Sequence, residues 1–125
     1  ERHDVDTIPG VLFLRIDESL FFGNLGAVEL RLNHELESSA DIRDVVLVMN
    51  AVNRMDATAV EIFSELNREL GERRTRLHLA EVKGPVQDRL QRTPFWLTLS
   101  GKVFLSANDA FEELAGEVRS NISAN

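Results

Sequence analysis

The sequence predicts an α/β domain, a central mixed or parallel β-sheet flanked by about four α-helices, and three observations carry that prediction. Strand-like and helix-like apolar spacings alternate along the chain from Val11 to Val118. The run Val45-Val46-Leu47-Val48-Met49 is apolar on both faces, which suits a strand at the centre of a sheet covered on both sides. The chain has 125 residues, 43% hydrophobic and 28% charged, enough for one core without a metal or a disulfide to hold it together.

Residues Glu1 to Pro9 are mostly polar and close on the turn signal Ile8-Pro9-Gly10, so 1–9 reads as a linker and 10–120 as the domain. Val11-Leu12-Phe13-Leu14-Arg15-Ile16 is rich in strand formers, and Ser19 to Phe22 is expected to pair with it as a second short strand across Asp17-Glu18. The period then changes. Leu25, Val28, Leu32 and Leu36 recur at spacings of three and four, one face of a helix reaching about Ser38 with Asn24 as its cap. After the central strand, Ala59, Ile62, Phe63, Leu66 and Leu70 mark a second amphipathic helix, capped by Asp56 and stopped at Gly71. Leu77-His78-Leu79-Ala80 reads as the next strand. Gly84-Pro85 places proline at the first position of a third helix carrying Val86 and Leu90, and Thr93-Pro94 ends it. Val103-Phe104-Leu105 gives a last short strand. Ser106, with Asp109 three residues on, opens a final helix whose buried stripe is Ala110, Phe111, Leu114 and Val118, and 121–125 reads as a frayed tail.

Composition narrows the function classes. With no cysteine, a disulfide scaffold, a thiol nucleophile and a Cys-ligated metal are excluded. Fourteen basic against twenty-one acidic residues leave a net charge of −7, so the domain as a whole repels nucleic acid and no nucleic-acid partner is expected. The longest apolar run, Val45 to Met49, is far short of the roughly twenty residues of a membrane-spanning helix. The chain starts at Glu1 without a leader-like segment and is expected to be a soluble piece of a longer protein.

Chemistry-bearing patterns are sparse. His3, His34 and His78 lie in the linker, a helix and a strand, without the spacing of a metal site or an acid/base pair. No phosphate-binding glycine loop occurs, no nucleophile and base stand together, and a non-enzyme without a tightly bound cofactor is expected. Glu112-Glu113 reads as a solvated helix face, and Arg73, Arg74 and Arg76 offset the negative end of the second helix. Two helix starts, after Asp56 and after Lys83-Gly84, follow central strands and open on the same sheet edge, where α/β folds place ligands. Asn53, Thr58, Lys83 and Gly84 are the candidate residues there for weak nucleotide or anion binding. Phe95 and Trp96, after Pro94, either fold onto the core or join Ala57 as partner contacts.

The segment Asn50-Ala51-Val52-Asn53-Arg54-Met55-Asp56-Ala57-Thr58-Ala59-Val60 leaves the central strand and enters the second helix. An apolar strand, a loop ending Met-Asp-Ala-Thr and a helix running Val60-Glu61-Ile62-Phe63 resemble the STAS domain, whose stretch here reads Asp-Ser-Ser/Thr-Gly. The similarity extends over nearly the whole chain, including Glu65-Leu66, Arg76-Leu77-His78-Leu79-Ala80 and the later Gly-Pro-Val. Leu20-Phe21-Phe22-Gly23-Asn24 resembles the branch found as cytosolic domains of SulP-type anion transporters such as sulfate permeases. That resemblance implies a non-catalytic regulatory module on the cytoplasmic face of a membrane transporter, in contact with the transmembrane part of the same protein or with a cytosolic partner. The other branch implies a free-standing anti-sigma-factor antagonist. There the position of Thr58 is phosphorylated, and Thr58 and Asp56 are the candidate regulatory residues of this chain. In this chain Ala59 replaces the usual glycine, and Asp56 and Glu61 oppose an added phosphate.

Overall fold

The structure, a computed structural model, describes residues 8–17, 19, 22–38 and 41–124. Its elements are β1 (Val11–Arg15), α1 (Phe22–Ser38), β2 (Asp44–Val48), α2 (Ala57–Glu72), β3 (Arg76–Ala80), α3 (Gly84–Gln91), α4 (Pro94–Thr98), β4 (Val103–Phe104) and α5 (Ala107–Ala124). The strands form one sheet in the order β1-β2-β3-β4, and every neighbouring pair is parallel.

That order fixes the layers. Each crossover steps one strand in the same direction, so right-handed connections put α1, α2, α3 and α4 on one face and leave α5 for the other. The side chains divide accordingly, because residues alternate across a strand. Leu14, Val45, Leu47, Leu77 and Leu79 pack with Leu25 and Leu32 of α1, Phe63 and Leu66 of α2, Val86 and Leu90 of α3 and Phe95 of α4. Val46, Ala80 and Phe104 pack with Ala110 and Leu114 of α5, and Ile8 is buried with them. The apolar run of β2 is thus read from both sides: Val45 and Leu47 serve one layer, Val46 the other.

Several expectations are corrected. Of the second strand expected over Ser19 to Phe22, Leu20 and Phe21 lie outside the described residues, Ser19 is in no strand, and Phe22 already belongs to α1. Asn24 therefore sits inside that helix and does not cap it. Pro94 does more than stop α3: it is the first residue of α4, where its missing N–H and fixed φ cost nothing. The last helix also continues past residue 120 to Ala124.

Candidate functional site

Because the strands are parallel, the helices that follow them start at the carboxyl edge of the sheet, and the predicted residues Asn53, Asp56, Ala57, Thr58, Lys83 and Gly84 gather there. Asp56 caps α2: its Oδ1 accepts from the Ala59 N–H at 2.8 Å, satisfying one of the unpaired donors of the first turn. Ala57 and Thr58 stand exposed on that turn, while Ala59 and Val60 turn inward. The capping carboxylate occupies the N–H that an added anion would seek first.

The loop leading into α2 is held from two sides. Ser19 Oγ accepts from the backbone N–H groups of both Asn53 and Arg54 at 3.1 Å, tying the segment after β1 to the segment after β2. Lys83 Nζ donates to Asn53 Oδ1 at 2.6 Å across 30 residues of sequence. The structure thus joins two predicted residues, Asn53 and Lys83, though each already satisfies the other. Lys83 precedes α3 without capping it through its side chain, and Gly84 is exposed with open space beside it. The starts of α2 and α3 share a groove of about 760 Å³ whose lining includes Ala57, Val60, Glu61, Pro85, Arg89 and Pro94.

Phe95 does not belong to a contact surface. Its ring is 1% exposed and meets Phe63 edge-on at 6.1 Å, so the apolar residue after Pro94 completes the core. Trp96 is half-buried against the same cluster. The large apolar residue of α4 that faces solvent is Leu97, 88% exposed.

On the other face of the same edge, Phe13, Arg15, Val48, Asn50, Glu81, Ala107 and Asn108 line a second cleft of about 660 Å³. Glu81, at φ 61°, accepts the Ala107 N–H at 2.9 Å and so caps α5 from a distance, while Ser106 Oγ accepts from Asp109 as its sequence spacing predicts. The buried Asn50 Oδ1 has no hydrogen-bond partner among the described residues. Sequence reading missed Ser19, Asn50 and Glu81, because a residue that bonds across a sheet edge leaves no periodic signature. Among the described residues no cluster of metal-ligating side chains occurs, and no helix is long and apolar enough to cross a membrane.

The opposite, amino end of the sheet holds the buried titratable groups. His78 is fully buried; its Nδ1 accepts from the Lys102 N–H at 3.0 Å, so its proton lies on Nε2 and is donated to Asp44 Oδ1 at 2.8 Å. Arg76 donates to Asp44 at 2.8 Å and to Glu117 of α5 at 2.7 Å. Burial by itself would raise the Asp44 carboxyl, but the bonds from His78 and Arg76 outweigh it and hold the group below its ordinary value. His78 is therefore structural, and His34 is an exposed residue of α1; His3 lies outside the described residues.

The family model described as STAS domain matches residues 2–110. The chain belongs to the STAS domain family. Among curated relatives, this STAS domain is 26% identical over 117 residues to Sulfate transporter 3.1 of Arabidopsis thaliana, covering 85% of the chain and 18% of that transporter. The chain thus spans less than a fifth of that relative's length. A sulfate transporter family protein from Wolinella succinogenes superposes with a TM-score of 0.71 at 26% identity, covering 92% of this chain and 96% of that one. The SulP transporter STAS domain from Vibrio cholerae gives 0.73 at 16% identity, covering 91% and 88%. A putative anti-sigma factor antagonist from Thermotoga maritima gives 0.69 at 14% identity, covering 85% and 88%, and shares the fold alone. The relatives are SulP sulfate transporters, and the all-parallel four-stranded sheet and five helices of the described residues match the fold of the solved STAS neighbours.

Proposed function

We propose that this STAS domain is the non-catalytic cytosolic regulatory module of a SulP-type inorganic anion transporter, acting through contacts with the transmembrane part of the same protein or a cytosolic partner. The observation that carries the reading is the start of α2. Ala57 and Thr58 project into solvent from a turn anchored by Asp56, Ser19 and the Lys83–Asn53 bond, beside a groove bounded by α2 and α3. A rigid exposed turn of this kind presents a surface without transforming a substrate. The likeness to sulfate transporters supports the choice of parent protein. Charge added at Thr58 alters docking by placing an anion on that surface beside Asp56 and Glu61.

The test is anion uptake by the parent protein carrying Ala57→Arg or Thr58→Glu, with membrane abundance measured alongside. Uptake should fall while abundance holds; unchanged uptake in both variants would reject the docking role.

The exposure of Thr58 also favours a second reading, a free-standing anti-sigma-factor antagonist switched by phosphorylation at Thr58 with Asp56 beside it. Incubation with a cognate kinase separates the two: stoichiometric modification of Thr58 with loss of partner binding supports the antagonist, and absence of modification supports the transporter module. Weak nucleotide or anion binding at Asn53, Thr58, Lys83 and Gly84 would require Lys83 to leave Asn53. Titration of the chain with a nucleoside triphosphate, comparing Lys83→Ala with the unaltered protein, measures it.

A further inference from the structure

The amino end of the sheet carries a cleft of about 260 Å³ lined by Arg43, Asp44, Arg74, Arg76, Leu114, Glu117 and Val118. Asp44 and Glu117 are both engaged by Arg76, whose guanidinium they hold in place at 2.8 Å and 2.7 Å. The side chains of Arg43 and Arg74 make no ion pair among the described residues. Arg43 is nonetheless fixed: its backbone N–H donates to the Gly10 carbonyl at 2.8 Å and its carbonyl accepts from Arg76, and its guanidinium fills the space over Gly10, 3.3 Å from where a Cβ would stand. Arg74 occupies the left-handed position just after α2, at φ 61°, where glycine is the ordinary choice.

We infer that this cleft binds a tetrahedral divalent oxyanion, either free sulfate or phosphate or the phosphomonoester of a lipid headgroup. The cleft is below the roughly 300 Å³ at which pockets for drug-sized ligands begin, yet roomy for a single tetrahedral anion. Guanidinium groups donate in the forked geometry that such an anion accepts. The chain is acidic overall, at −7, but interactions beyond about 8 Å are largely screened at physiological ionic strength, so the lining groups decide the local field. Those are three arginines against two carboxylates, a net charge of +1, with Arg43 and Arg74 outside the ion pairs that Asp44 and Glu117 make with Arg76.

Sodium sulfate titrated into the isotope-labelled 125-residue chain, against sodium chloride at matched ionic strength, should shift the amides of Arg43, Asp44, Arg74, Arg76 and Glu117 saturably with sulfate alone. Arg74→Gly is the decisive variant. Glycine suits a φ of 61° better than arginine does, so thermal stability should hold or rise while sulfate affinity falls about fivefold, the loss of one exposed charge-assisted contact. Arg43→Gln should weaken binding similarly, and Arg89→Gln, in the distant groove between α2 and α3, should leave it unchanged. Shifts that do not saturate, an equal response to chloride, or unchanged affinity in Arg74→Gly overturn the proposal. Phosphatidylcholine vesicles with and without phosphatidic acid separate the sources. Co-sedimentation that needs both phosphatidic acid and Arg74 assigns the anion to a headgroup; sulfate binding without sedimentation assigns it to a free ion, and sedimentation that survives Arg74→Gly rejects the headgroup.

Discussion

The two ends of the sheet are built on opposite plans. At the amino end, Asn67 of α2 donates to the Thr98 carbonyl and receives bonds from both the N–H and the hydroxyl of Ser100; that hydroxyl in turn accepts the Leu77 N–H. Gly101 then bonds the Leu77 carbonyl and lies against His78, which leads on to Asp44, Arg76 and Glu117. Most of these groups serve two neighbours, and several are buried. At the carboxyl end the bonds are mostly exposed: Asp56 caps α2, Ser106 caps α5, Ser19 braces the Asn53 and Arg54 backbone, and Lys83 reaches Asn53. A shared, buried bond is expensive to break because it orphans a second group out of reach of water, whereas an exposed local one is replaced by solvent. Stability is therefore concentrated at one end, and the other is left able to vary its surface.

Four substitutions test that contrast, in order of expected effect. Gly101→Ala should be the most damaging: its Cβ would stand 2.4 Å from the Leu77 carbonyl oxygen and 2.5 Å from His78 Nδ1, and neither a strand backbone nor a buried ring can give way. A loss of about 3 kcal/mol in urea denaturation is expected; a loss below about 0.5 kcal/mol, the range of ordinary surface changes, would show that the amino end is softer than its bonding suggests.

Asp44→Asn should cost roughly 1–3 kcal/mol at neutral pH, since it weakens the partner of a buried His78 N–H and of Arg76. It also has a pH signature. The folded carboxyl titrates below its ordinary 3.8, so its stabilising contribution is fully present above that value and is lost as pH falls through the lower folded one. Melting temperatures from pH 6 downward should therefore decline less steeply in Asp44→Asn than in the unaltered chain, and parallel curves would contradict the assignment.

At the carboxyl end, Asp56→Ala removes a single cap and should cost about 1 kcal/mol, read as a small drop in urea midpoint without a change in slope. Thr58→Glu should be the mildest, within about 0.5 kcal/mol of the unaltered chain, because the residue is exposed and a negative charge in the first helical turn is tolerated by the dipole. Were Thr58→Glu to destabilise as much as Asp44→Asn, the division between the two ends would fail.

Much of the fold was legible in the residues. The helical stripes of α1, α2 and α5 follow from apolar spacings, Asp56 and Ser106 were recognisable as caps, and β2 as the doubly covered strand follows from five consecutive apolar side chains. Less of the candidate site was. Asn53 and Lys83 stand out separately in the sequence, but only the strand order makes them neighbours, and Phe95 reads equally as core or surface until α4 turns it inward.

What the sequence determined by itself is therefore everything carried by neighbours within a turn or two: where helices begin, which stripe is apolar, which strand lies inside. The tertiary structure alone decided that Ser19 braces the loop before α2, that Asn67 anchors Ser100, and that Asp44, His78, Arg76 and Glu117 form one chain. The reason is separation. These partners stand between 32 and 41 residues apart, and only the parallel register with crossovers of one hand closes such distances, a constraint that no local pattern of residues encodes.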